Sequence, residues 1–331
     1  MQYLRPIGLL TLLLTAIMGY AAQEQPSYDA RLSQYSYPYP VQTFSFQSQR
    51  QTLQMSYMHL AAQNDKPTVL LLHGKNFAAD YWHKTAEFLH ARGYGVLMPD
   101  QVGFGKSSKP SHYQFSAEGL VNNTRTLVQS LNLEQVIVIG HSMGGMLASR
   151  YALNHPNEVE TLVLINPVGL EDYLKYVEYK DPEFFYQSEL KKTAADVIRY
   201  QKKHYYDGKW QSEYQALTEI HAGWINGPDW PQVAWNNAQT YDVIFTGAVV
   251  NEFPQMAVPV HLIIGTRDTT GPGRGWKKAG VEYTLGQYDK LGKQAARAIP
   301  DAQLHELDGI GHMPQFEAFE RYKQVLQEIF D

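Results

Sequence analysis

The sequence has no cysteine among its 331 residues. That absence excludes disulfides, thiolate metal sites, a cysteine nucleophile and a lipid anchor on a thiol. A basic excess is missing too: 28 Lys and Arg stand against 33 Asp and Glu, a net charge of −5. Nucleic acid or an anionic membrane surface is therefore not expected as the main partner. Long apolar runs are also lacking. The stretch Ile7 to Met18 covers about a dozen residues, short of the ~20 that a membrane helix needs. The chain shows no Walker loop, no dinucleotide fingerprint, no metal-ligand spacing, no internal repeat and no low-complexity segment. Neither metal nor organic cofactor is expected.

What is present is a folding chain of enzyme size. A hydrophobic content of 44% supplies a real core and rules out disorder as the overall state. The 23 tyrosines against 13 phenylalanines point to many half-polar aromatic contacts, as in a pocket or a lid. Arg5, the apolar run after it and the small residues around Gly19-Tyr20-Ala21 read as a secretory signal over residues 1–21, cleaved near Ala21 or Ala22. The mature protein is then expected in the periplasm or secreted, with no stable membrane anchor. Pro26 to Pro40, with four tyrosines among prolines and polar residues, reads as an extended arm packed on the surface.

Beyond the arm, strands and helices alternate. Val41–Phe46 and Leu53–Leu60 read as an antiparallel hairpin. Thr68–Leu72, Gly95–Met98, Gln135–Ile139, Thr161–Ile165, Val260–Ile264 and Gln303–Leu307 read as further strands. Runs such as TVLLL, QVIVI and TLVLI are apolar throughout, the mark of strands buried on both faces. Helices are expected over Ala79–Ala91, Phe115–Leu131, Met143–Asn154 and Phe316–Phe330. The pattern predicts an α/β fold, a mostly parallel eight-stranded sheet with helices on both faces, which binds ligands beyond the carboxyl ends of its strands. The alternation breaks from residue 171 to 252, where helical patches and Trp210, Trp224, Trp230 and Trp235 replace the strands. This reads as a helical insertion between two core segments, 22–170 and 253–331.

Three positions at strand ends carry the chemistry. Gly140-His141-Ser142-Met143-Gly144 follows a buried strand and opens a helix, the context a G-x-S-x-G nucleophile elbow requires. Its turn lifts the Ser142 hydroxyl above the sheet edge and leaves the Met143 N–H free at a helix N-terminus to meet negative charge. A serine hydroxyl needs a base. His312, between Gly311 and Met313 after the last strand, fits that role better than His305, which lies within the strand pattern. Asp268, at the end of the penultimate strand, is the acid expected to orient it, ahead of Asp301 and Asp172. A second oxyanion donor belongs in the loop His73-Gly74-Lys75-Asn76-Phe77, with the Lys75 N–H preferred and Asn76 N–H as second choice. The Lys75 side chain reads as a solvated charge and His73 as a tie for the loop. The basic, glycine-rich stretch from Thr266 to Lys278 reads as a solvated loop, with a flap or a contact to an acidic substrate group as the alternative.

These motifs, with Asp100-Gln101-Val102-Gly103-Phe104-Gly105-Lys106-Ser107, Gly265-Thr266-Arg267-Asp268 and Gly311-His312, resemble the α/β-hydrolase superfamily over nearly all of the mature chain. Within it the chain is similar to capped serine hydrolases: esterases, lipase-like enzymes and carbon–carbon hydrolases of ring-cleavage products. Ile165 to Asp172 resembles secreted bacterial hydrolases of unassigned substrate. The resemblance implies that residues 171–252 form a cap over Ser142 and that Asp100 is structural. Serine at the elbow departs from the haloalkane dehalogenase and epoxide hydrolase branches, which carry aspartate there. The expected activity is carboxylesterase-like hydrolysis of a small, apolar or aromatic substrate through an acyl-enzyme. Carbon–carbon hydrolysis, aminopeptidase-like amide cleavage or cofactor-free perhydrolysis by the same triad is the alternative, and a non-catalytic binder on the same scaffold is a third. The sequence leaves the oligomeric state open.

Overall fold

The computed structural model describes residues 25–331, so the expected signal segment lies outside the described residues. Eight strands form one sheet: β1 (Val41–Ser48), β2 (Gln51–Leu60), β3 (Thr68–Leu72), β4 (Gly95–Pro99), β5 (Val136–His141), β6 (Val159–Ile165), β7 (Val260–Gly265) and β8 (Ala302–Leu307). Their order across the sheet is β1-β2-β4-β3-β5-β6-β7-β8. Only β2 runs against its neighbours β1 and β4; every pairing from β4 to β8 is parallel.

The apolar strands are buried on both faces because successive side chains alternate between two cores. Leu70 and Leu72 of β3 and Val136 and Val138 of β5 join one core, with Leu120, Leu147 and Leu291. Val69, Leu71, Ile137 and Ile139 join the other, with Ala86, Leu89, Tyr322 and Leu326. Helices therefore cover both faces: α1 (His83–His90) on one, α2 (Ala117–Ser130) and α3 (Met143–Asn154) on the other. The expected helix over Ala79–Ala91 divides into a 3-10 turn at Ala79–Trp82 followed by α1.

Between β6 and β7 the chain adds five helices: α4 (Pro182–Glu189), α5 (Ala194–His204), α6 (Ser212–Ala216), α7 (Glu219–Ile225) and α8 (Trp230–Thr246). After β7 come α9 (Tyr288–Ala298), α10 (Pro314–Glu317) and α11 (Phe319–Phe330). β6 and β7 pair directly, Leu164 opposite Leu262, so the sheet closes beneath the inserted helices.

The arm is more than a surface strap. Leu32 is fully buried and packs with Ile220, Trp224, Trp230 and Val233 in a small third core. Tyr28 N–H donates to Gly223 O at 2.9 Å, the Trp224 indole donates to Asp29 O at 3.1 Å, and Ala30 N–H donates to the Asp229 carboxylate at 2.8 Å. Tyr37 O–H reaches back to Asp100 at 2.8 Å. The arm thus joins α7 and α8 to the sheet, and burying Leu32 alone contributes about 2 kcal/mol.

Candidate active site

β5 delivers Ser142 through a turn that few side chains would adopt. Ser142 has φ 55° and ψ −120°, a strained conformation of the kind held in place at functional sites. The glycines make the turn possible by close approach: a Cβ on Gly140 would lie 2.6 Å from the carbonyl carbon of Gly144. The Ser142 hydroxyl oxygen lies 3.0 Å from His312 Nε2.

His312 comes from the loop between β8 and α10. Its Nδ1–H donates to Asp268 Oδ2 at 2.6 Å, which leaves Nε2 to accept from the serine. All three groups lie at carboxyl ends of strands and are buried: Asp268 and His312 are 1% exposed and Ser142 8%. Burial pushes the Asp268 carboxyl upward. The facing imidazole and the bonds from His312 and Thr270 outweigh it, so its pKa lies below the ordinary carboxylate value. The structure therefore brings together the serine, histidine and aspartate expected from sequence.

The rival residues lie elsewhere. His305 sits beside His261 and Glu328. Asp172 contacts Asn251 and Lys175, and the Asp301 carbonyl caps the start of β7. Asp100 is fully buried and accepts from the Ala79 and Lys106 N–H groups, each at 2.7 Å. Its carboxylate organises the loops and does not face Ser142.

Asn166 as an anchor, and the role His141 takes behind the site, were not legible in the sequence. Asn166, just past β6, donates from Nδ2 to Asp268 Oδ2 at 2.8 Å, and its Oδ1 accepts from the Gly265 N–H at 2.9 Å. The available signal was an amide placed immediately after the all-apolar TLVLI. His141 turns away from the cavity and forms a relay behind the site. Its Nε2 lies 2.9 Å from the His312 carbonyl, which can only accept, so Nε2 carries the proton. Nδ1 then accepts from Tyr81 O–H at 3.1 Å, and the Tyr81 oxygen accepts from Gly74 N–H at 3.0 Å. Burial and the neighbouring His312 lower the His141 pKa to about 3, so the ring stays neutral and the relay is fixed.

The Lys75, Asn76 and Met143 N–H groups all lack an acceptor among the described residues, and Lys75 and Asn76 line the same cavity as Ser142. His73 ties the loop as expected: its ring bonds Gly74 O at 2.9 Å and the Gln101 N–H at 3.0 Å. The Lys75 side chain departs from expectation. It is buried, not solvated, and its Nζ donates to Asn237 O at 2.7 Å, Asn237 Oδ1 at 2.6 Å and Thr240 Oγ1 at 3.1 Å on α8.

Ser142 and His312 open into a cavity of about 550 Å³. Phe185, Val197, Tyr205, Tyr241, Ile244 and Trp276 give it most of its apolar lining, with Glu189, Lys192, Asp196 and Arg274 as charged residues on the same wall, and the Phe185 and Tyr241 rings stack at 4.3 Å. The stretch from Thr266 to Lys278 divides. Arg267 is held by Glu317, whereas Gly271 to Trp276 form part of the cavity wall. An alcohol placed as Ser142 is can pass its proton to the imidazole and attack a carbonyl held in this cavity.

A family model described as alpha/beta hydrolase fold matches residues 67–319. A probable hydrolytic enzyme from Pseudomonas aeruginosa PAO1, known as a crystal structure, is 45% identical. The match covers 92% of this chain and 99% of that one, with a TM-score of 0.89. A meta-cleavage product hydrolase from Pseudomonas fluorescens is 21% identical over 84% of this chain and 94% of its own, with a TM-score of 0.62. An esterase from Exiguobacterium antarcticum is 15% identical over 84% and 95%, with a TM-score of 0.65. These last two share the fold. Among curated proteins, an uncharacterized protein of Mycobacterium tuberculosis is 23% identical over 80% of this chain and 75% of its own.

Proposed function

The chain is a hydrolase of the alpha/beta hydrolase fold family, and on that premise we propose that it cleaves a carboxylic ester, or a similar acyl bond, of a small apolar or aromatic substrate through an acyl-enzyme on Ser142. The observation that carries this reading is the unbroken chain Ser142 Oγ, His312 Nε2, His312 Nδ1, Asp268 Oδ2, with steps of 3.0 and 2.6 Å, at the wall of a largely apolar cavity.

His312 takes the serine proton as Oγ attacks the carbonyl. Asp268 holds the ring in the required tautomer and stabilises the imidazolium that forms. The Met143 and Lys75 N–H groups receive the oxyanion; each such donor typically lowers the barrier by about 3–4 kcal/mol. His312 then protonates the leaving group. Water, deprotonated by the same nitrogen, releases the acid and restores Ser142. Residues 171–252 act as the cap that selects the acyl group, through Phe185, Tyr241 and Ile244. In the same reading, residues 1–21 direct export. Mass spectrometry of the exported protein should find an N-terminus near Ala22, and an intact Met1 there would count against it.

Purified protein should hydrolyse p-nitrophenyl esters with a rate that depends on acyl length. A vinylogous diketone and a prolyl anilide should be turned over far more slowly. Preference for the diketone would reassign the bond to carbon–carbon, and preference for the anilide to amide.

A further inference from the structure

We propose that Lys75 is a positioning residue that ties the oxyanion loop to helix α8, so that the loop is held for reaction only while the cap is seated on the core. The inference rests on the reading above, in which the Lys75 N–H is an oxyanion donor.

The loop has two anchors of different origin. Gly74 is fixed to the core through Tyr81 and His141. Lys75 reaches the other way. Its three ammonium protons match the three acceptors on Asn237 and Thr240, 162 and 165 residues along the chain. The Tyr241 ring centroid lies 4.0 Å from Nζ. Nothing about filling this space requires a charge, and an ammonium is costly to bury unless it is bonded on every side. A methionine would pack there without that cost but would hold nothing. The lysine makes sense as a strut.

The strut ends on the part of the cap that meets substrate. Tyr241 and Phe185, from α8 and α4, form the cavity wall. Glu189 on α4 braces the same place, with Asn237 Nδ2 and Tyr241 O–H each 3.4 Å from its carboxylate and Lys192 at 2.7 Å. His221 of α7 completes the surroundings, kept neutral chiefly by burial, with a pKa of about 3. An acyl group packed on Phe185 and Tyr241 holds α8 in place, and α8 holds the loop.

The protonation of Lys75 gives the strut a signature. Burial lowers its pKa to about 7, against the raising effect of Glu189 and with the lowering effect of Lys192. A neutral amine has two protons for three acceptors, so the strut is complete below about pH 7 and weakens above it.

The test measures kcat, KM and pH profiles for p-nitrophenyl butyrate, together with the rate at which a fluorophosphonate modifies Ser142. At pH 6, Lys75→Met should lower kcat and the labelling rate by about 10- to 100-fold, the scale of a misplaced oxyanion donor, with KM nearly unchanged. The wild-type decline in kcat above pH 7 should vanish in this variant. Thr240→Val leaves the loop untouched and removes one acceptor; two amine protons then suffice for the two acceptors left on Asn237, so the decline above pH 7 should flatten. A folded Lys75→Met protein with wild-type kcat and pH profile would overturn the strut. If Lys75→Met does not fold, an unchanged profile in Thr240→Val overturns it instead. A wild-type protein that neither turns over ester nor takes the label would overturn the hydrolytic reading itself.

Discussion

Replacement of Ser142 by alanine is expected to lower kcat for p-nitrophenyl esters by about 10⁴- to 10⁶-fold, the scale seen when a serine nucleophile is removed from an assembled triad. The fluorophosphonate adduct on Ser142 should disappear with it. The local structure supports an effect this large. Ser142 is a non-glycine residue at φ 55°, and such strain, about 1–3 kcal/mol, persists only where the surroundings enforce it. Alanine keeps the Cβ that the turn already tolerates, so the fold and its melting temperature should hardly change. Activity within about tenfold of wild type in a folded Ser142→Ala protein would remove the nucleophile from the proposal and leave a binding scaffold.

The second large effect is expected for Asp268→Asn, with kcat/KM falling by about 10⁴-fold. Every partner of this carboxylate is a donor. Oδ2 accepts from His312 Nδ1 and Asn166 Nδ2, and Oδ1 accepts from the Thr270 N–H at 2.8 Å. An amide must set its NH₂ against one of them. If it faces His312, the ring changes tautomer and Nε2 carries a proton that blocks it as a base. If it faces Thr270, one bond is lost, and the negative charge that steadies the imidazolium is gone in either case. The label should slow in parallel, because phosphonylation uses the same base. An Asp268→Asn enzyme within a factor of about ten of wild type would show that His312 needs no anionic partner.

The sheet was legible because its signal is short in range. A strand buried on both faces must be apolar at every position, and TVLLL, QVIVI and TLVLI could hardly be anything else once glycines and helices flanked them. The elbow was legible for the same reason: two close backbone approaches demand Gly140 and Gly144 within five residues. What stayed hidden depends on partners far along the chain. The charge of Lys75 reads as solvated until Asn237 and Thr240 are brought over it. Asn166 reads as a turn residue until β7 pairs with β6 and sets Asp268 beside it. Leu32, a lone aliphatic among tyrosines, has no periodicity to announce that the arm carries a core residue.

The pairing of β6 with β7 beneath the inserted helices has a consequence for biogenesis. Ser142 and His312 are 170 residues apart, and the histidine loop follows β8, which pairs with β7 at the far edge of the sheet. Contacts of such sequence separation form late, because the chain must lose loop entropy before they reward it. On the proposed mechanism, the hydroxyl of a nascent or partly folded chain is thus expected to be an ordinary alcohol, its reactivity arriving with the last strand. In the proposed mechanism, covalent modification of Ser142 then counts completed molecules one by one, and a chain shortened before β8 is expected to be chemically silent however well its first seven strands had formed.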